Sequence, residues 1–244
     1  MLAFPLASGF LVAGVTWAGA AFAALAIVGF LAHESAMIVL GARGGRLRGA
    51  HGTHARRRLL ALGFVALACI TVVVATAPPG LWTPALGTVV LAISVGALLV
   101  AGRTKSLAGE LLVAATFSSV HAVIAAAAGA TPAATWLPVA VWVVSFTLAT
   151  LGVHALKAGF KGKGPGRWTI RAAPTLAVLV LVAGVAAWRA VGLGVGLAPA
   201  PKALTVLAVA ALHVHPRHLK RVGWSFVATD LLTLVLVTAS LSGS

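Results

Sequence analysis

Apolar runs of about twenty residues alternate with short polar breaks along almost the whole chain. A bilayer core about 30 Å thick is crossed by roughly 20 apolar residues in an α-helix, so this alternation predicts a series of membrane-crossing helices. Residues 4–41 are almost continuously apolar, and as one helix they would be about 57 Å long, so a break is needed. The small residues at Trp17-Ala18-Gly19 place it there and leave a short first helix followed by a full second one. A third helix is predicted over about 57–77, closed by Pro78-Pro79-Gly80, and a fourth over about 81–102. The fifth runs to about 129 and the sixth, opened by Thr131-Pro132, to about 157. The seventh spans about 172–193, the eighth about 203–215 after a Gly/Pro turn at 194–202, and the ninth about 222–241.

The expected fold is therefore all-α: one polytopic transmembrane bundle of about nine helices, formed by residues 1–244 as a single domain. Basic loops are expected at about 42–56 and 157–171. The first helix is read as retained rather than cleaved, because no Lys or Arg precedes its apolar run and further segments follow directly.

Charge adds direction to this picture. Sixteen of the eighteen Lys and Arg residues fall in four alternate breaks, leaving only Arg189 and Lys202 on the other side. The positive-inside rule makes those four breaks cytoplasmic, with the N-terminus inside and the C-terminus outside. Trp17, Trp82, Trp136 and Trp188 fall near the predicted outer ends and Trp168 and Trp224 near the inner ones, as an aromatic belt requires. The expected location is an inner (cytoplasmic) membrane.

Composition excludes a soluble domain: 61% of residues are hydrophobic, 9% are charged, and the mean hydropathy is +1.08. A net charge of +15 could point to nucleic acid. The basic residues flank apolar spans without an aromatic-interleaved patch, so they are read as a topology signal and as contacts for anionic membrane lipids instead. The one cysteine, Cys69, excludes an intrachain disulfide and a Cys-based metal cage.

The three acidic residues, Glu34, Glu110 and Asp230, all lie inside apolar segments, where a carboxylate is costly. Glu34 follows His33 about two turns before the cytoplasmic end of the second helix. Glu110 opens the fifth helix, where it also complements the helix macrodipole. His154 ends the sixth helix, and His213 and His215 end the eighth. His213-Val-His215 lacks the i, i+4 spacing that puts two ligands on one helix face, so no metal site is expected. His121, deep in the fifth helix, reads as a hydrogen-bonded packing residue, and Asp230 has no visible partner. Together His33, Glu34, Glu110, His154 and His213 are expected to rim an inner-side cavity. Arg43, Arg46, Arg56, Arg57, Lys157 and Lys161 would supply contacts for an anionic headgroup.

The stretch from Gly29 to Arg46, Gly29-Phe-Leu-Ala-His33-Glu34 continuing through Gly41-Ala-Arg43-Gly-Gly-Arg46, resembles the YwiC-like family of bacterial membrane proteins. Residues 145–157 and Lys220-Arg-Val-Gly-Trp224 are similar to later stretches of that family. The opening Pro-x-x-His-Gly-Ala-Trp stretch common in the family is missing here. The resemblance implies a membrane bundle and brings no activity or cofactor with it. The nine-helix layout is also similar to that of UbiA-type prenyltransferases. Their Asp-rich magnesium motifs are absent, so magnesium-dependent prenyl transfer does not carry over.

Three functions remain open from the sequence. The first is binding or processing of a lipid-soluble ligand with an anionic head, of isoprenoid, quinone or haem type, at the cytoplasmic leaflet. The second is transport of a small solute, or proton-coupled transport, using Glu34, Glu110 and Asp230. The third is a structural or assembly subunit, for which abundant Ala and Gly supply close helix packing.

Overall fold

The structure, a computed structural model, describes residues 1–161, 167–191, 193–212 and 214–241. Its elements are α1 (Ala3–Ala13), α2 (Trp17–Val39), α3 (Gly45–Thr76), α4 (Trp82–Val100), α5 (Leu107–Ala127), α6 (Pro132–Lys161), α7 (Thr169–Val191), α8 (Leu193–Leu197), α9 (Ala200–Ala211) and α10 (Leu219–Leu241). Among the described residues there are nine helices of eleven or more residues, one five-residue helix and no strand. Eight spans are long and apolar enough to cross a membrane when α8 and α9 are taken as one, Gly194–Ala211. The chain is a polytopic helix bundle.

Three boundaries differ from the sequence expectation. The break after α1 comes at Gly14, whose φ of 88° ends the helix, and Thr16 then caps α2 by accepting from the Gly19 amide at 3.1 Å. The expected basic loop at 42–56 is mostly helix, because only Gly41 and Gly44 take positive φ and α3 starts at once with Gly45. Arg, Leu and Ala after that point favour helix, so α3 reaches 32 residues, about 48 Å, and extends about 18 Å beyond a bilayer core. The turn expected at 194–202 is likewise mostly helical. Only Ala198 and Pro199 interrupt it, since Pro201 is tolerated in the first turn of α9.

The four basic breaks lie at one end of the bundle. Lys105, before α5, acts electrostatically on Glu34 near the end of α2. Glu110 at the start of α5 meets His154 near the end of α6, and Phe160 of α6 packs against His215 beyond α9. At 11 residues, about 16 Å, α1 does not cross the bundle. Its Met1 amino group lies within electrostatic reach of Lys202 and Asp230 rather than at the basic end.

Two cores meet along α1, α5 and α6. Phe22, Leu81, Val120, Val123 and Ile124 fill the one formed by the first five helices. Leu148, Leu151, Ala177, Val206 and Phe226 fill the other, between α6, α7, α9 and α10. Trp142, fully buried, stacks between Phe4 and Phe146 at the junction. Trp17, Trp82, Trp136, Trp168 and Trp224 are exposed at helix ends, as the belt pattern anticipates. Most large apolar side chains of α3 and α4, and many of α7, face outward, which is the surface a lipid solvent would cover.

A buried hydrogen-bond chain ties the junction together. Pro138 has no amide hydrogen, so the carbonyl of Ala134, four residues earlier in α6, loses its helical partner. His121 Nε2 lies 2.9 Å from that carbonyl oxygen. Because a carbonyl only accepts, Nε2 carries the hydrogen and Nδ1 is left to accept from the Ser8 hydroxyl at 2.8 Å. Ser8 Oγ in turn accepts from Trp142 Nε1 at 2.9 Å. All four side chains or groups are buried, so His121 is the packing residue the sequence suggested.

Three substitutions test this packing. A Cβ at Gly184 of α7 would sit 2.5 Å from the Gly196 carbonyl oxygen of α8, whereas one at Gly87 would meet nothing within 4 Å. Gly184→Ala is expected to lower stability by about 1–3 kcal/mol and Gly87→Ala not to, as thermal midpoints in detergent will show. His121→Ala is expected to cost about 1–3 kcal/mol, because the buried Ala134 carbonyl loses its side-chain donor, while Ser8 keeps the Pro5 carbonyl and Trp142.

Candidate functional site

Most candidate residues named from the sequence gather at the basic end, but in separate pairs. Ser106 caps α5, accepting from the Gly109 amide at 3.1 Å, which fixes Glu110 in the first turn. Gly109 permits this cap, since a Cβ there would come within 2.7 Å of the Arg103 and Thr104 carbonyls. From α6, His154 Nε2 approaches Glu110 Oε2 to 3.0 Å, with both side chains part-exposed. Glu34 is instead held by Arg43, whose Nη2 donates to Oε2 at 2.6 Å. The Glu34 carboxylate raises the Arg43 pKa through that hydrogen bond. His33 sits beside Glu34, half-buried. Arg46, Arg56 and Arg57 are exposed on the projecting part of α3, and Lys157 is exposed near the end of α6. His213 and the Lys161 side chain lie outside the described residues.

The same end opens into an apolar groove of about 380 Å³ between α6, α7 and α9. Gly152, Ala155, Phe160, Pro174, Val206 and Val209 line it. Gly152 packs closely there: a Cβ would lie 3.2 Å from Val206 and 3.4 Å from Phe226. At the mouth, Phe160 meets the His215 ring edge to face, with centroids 4.6 Å apart. Lys157, Arg167 and Arg171 are exposed on the flanking helix ends. Desolvation, with the charges of Arg217 and Arg221, lowers the His218 pKa. Neither Glu34 nor Glu110 lines this groove, so the single rim expected from the sequence is split over three places. A second, polar concavity at the α2–α3 junction is lined by Arg48 and Arg56.

A further polar centre lies deep in the bundle. Asp230 is the twelfth residue of the 23-residue α10, which puts it at mid-depth. Its Oδ1 is 2.8 Å from Nζ of Lys202, and the Lys202 side chain is fully buried. The approach is off the hydrogen-bonding direction, since Oδ1 receives no well-aligned donor. Lys202 Nζ donates to the Phe226 carbonyl and lies 4.9 Å from the Phe226 ring centre. The interruption between α8 and α9 is one turn away, and Thr233 Oγ1 closes it by donating to the Ala198 carbonyl at 2.8 Å. An interrupted span beside a buried ion pair is where membrane proteins place functional groups.

The sequence pointed to Asp230 but not to its partner. Lys202 is corrected here: the two prolines before it suggested an outer turn, yet Pro199 and Pro201 start a helix and carry Lys202 inside. The signal was available, because a proline at the head of an apolar run opens a helix as readily as it closes one. Among the described residues no group of three or more His, Cys, Asp or Glu is arranged to hold a metal ion.

A model of the YwiC-like protein family matches residues 1–125, which is half of the chain. The chain belongs to the YwiC-like family. The matched part of this YwiC-like chain runs from α1 to near the end of α5 and contains Glu34, Arg43 and Glu110. His154, Lys202 and Asp230 lie beyond it. No curated protein and no solved structure matches the chain.

The ion pair gives a stability test. Asp230→Asn or Lys202→Met alone leaves one buried charge unpaired and is expected to cost about 3–5 kcal/mol. The double variant Lys202→Met/Asp230→Leu removes both charges and is expected to stay close to the parent or exceed it. Denaturation midpoints of the three variants in one detergent read the difference.

Proposed function

We propose that this YwiC-like protein resides in the bacterial cytoplasmic membrane, basic end inward, and binds a lipid-soluble ligand with an anionic head at the cytoplasmic leaflet. The groove between α6, α7 and α9 carries this reading. It is apolar, open at the basic end, and of a size that takes a chain or ring of a lipid rather than a polar solute. The tail would lie against Gly152, Ala155, Val206 and Val209. The head would meet Lys157 and Arg171, with His215 and Phe160 at the mouth.

Two further groups would contribute at the same leaflet. The Glu110–His154 pair holds α5 to α6 beside the groove and positions the helix that lines it. Arg43, Arg46, Arg56 and Arg57 would attract anionic headgroups electrostatically. Anionic membrane lipids are thus the proposed partners, and an isoprenoid phosphate, a quinone-like acid or a haem are the ligand classes proposed. His33 and Glu34 remain part of this proposal as polar contacts at the same leaflet, away from the groove, and His213 does so on its place in the sequence alone.

Gentle purification followed by native mass spectrometry and an absorption spectrum tests the reading. A co-purifying isoprenoid, quinone or haem is expected. Ala210→Trp, which fills the groove from its exposed wall, is expected to displace it, and Lys157→Glu/Arg171→Glu to weaken it about tenfold or more. Recovery of protein free of any such species, or retention unchanged in both variants, would sink the proposal.

A further inference from the structure

The groove does not use the mid-depth pair, and packing alone gives it little reason to exist. Apolar residues of similar volume would serve as well or better, because two charges in hydrocarbon carry a large desolvation cost. Three observations distinguish the pair from a simple staple. The Lys202 ammonium has two anchors that never ionise, the carbonyl and the ring of Phe226, besides Asp230. The Asp230 Oδ1 atom is buried, and no well-aligned donor occupies it. Lys202 also stands in the first turn of α9, directly after the interruption whose free carbonyl Thr233 holds.

We propose that Asp230 is a proton-binding site, and that the α8–α9 interruption responds to its occupancy through Lys202. In the step concerned, a proton adds to the Asp230 carboxylate and forms an O–H bond, and no covalent bond breaks. The site changes from a neutral pair to a single positive charge on Lys202. That cation keeps its place against the Phe226 carbonyl and ring, so the bundle survives protonation. Only the charge tie from α9 to Asp230 is lost, and this loosens the turn that joins α8 to α9. The charged groups facing Asp230 are Lys202 from α9 and the Met1 amino group from α1. On α6, the titratable residues His154, Lys157 and Lys161 all lie toward the basic end, and α8 has none. The inference is independent of the groove and of what it binds.

Asp230 is the single aspartate of the chain, so aspartate labelled with ¹³C at its side-chain carboxyl marks one site. Nuclear magnetic resonance of the labelled full chain in nanodiscs is expected to show one carboxyl signal that titrates reversibly while helix content stays constant. Amide hydrogen exchange at Ala198, Ala200 and Lys202, the residues of 198–202 that carry an amide hydrogen, is expected to speed up by about tenfold or more on protonation, after correction for its intrinsic pH dependence. In Lys202→Met/Asp230→Leu that pH dependence should vanish. Lys202→Met is expected to move the carboxyl midpoint to higher pH. If that variant does not fold, Lys202→Arg, which keeps the charge, should fold and keep the midpoint near the parent's. A carboxyl signal that stays ionised until the protein unfolds would overturn the proposal. So would exchange at 198–202 that ignores protonation, because a purely structural pair predicts both results.

Discussion

Backbone amides and carbonyls have no water to bind inside a bilayer, so any interruption of a helix must be closed by the protein itself. This constraint organises the interior of the bundle. At Pro138 the orphaned Ala134 carbonyl is met by His121, and that contact recruits Ser8 and Trp142 and so fastens α1 and α5 to α6. At the α8–α9 interruption the Ala198 carbonyl is met by Thr233, which fastens that span to α10. Proline and the residue that answers it sit on different helices in each case. The helix breakers thus act as the points at which the helices are cross-linked.

The two halves of the protein differ in what their helices do. The first has long uninterrupted spans, of which α3 and α4 present most of their large apolar side chains outward. The second contains both the interrupted span and the groove, with close approaches at Gly152 against Val206 and at Gly184 against Gly196. Small residues there let helices come near enough for carbonyls and short side chains to meet across them. Short α1 sits between the halves and belongs to both, stacking Phe4 on Trp142 while Gly9 nests on Ile124.

The sequence made the bundle legible because hydropathy is a local property. Span number, the four basic breaks and the belt of tryptophans all follow from runs of residues that need no partner to be recognised. Pairings are another matter. Glu34 with Arg43 lies within one turn-and-loop and could be guessed, whereas Lys202 with Asp230 joins residues on separate helices. Their meeting depends on where α9 begins, and the prolines that set this also permit the opposite reading. The basic stretch after Gly44 misled for a related reason. Charge marks the side of the membrane, but it does not stop a helix, and only the glycines at 41 and 44 do so.

The order of synthesis gives the buried pair one more consequence. Lys202 leaves the ribosome first, in an apolar segment already weakened by two prolines and a five-residue lead helix. A lone lysine at mid-depth opposes insertion by about 3 kcal/mol, and its counter-charge is still untranslated. Asp230 follows after a further 28 residues, which takes roughly 1–6 s at ordinary elongation rates. During that interval the α8–α9 span is the least committed part of the chain. It settles when α10 enters and the two segments can pass into the bilayer as one neutral unit.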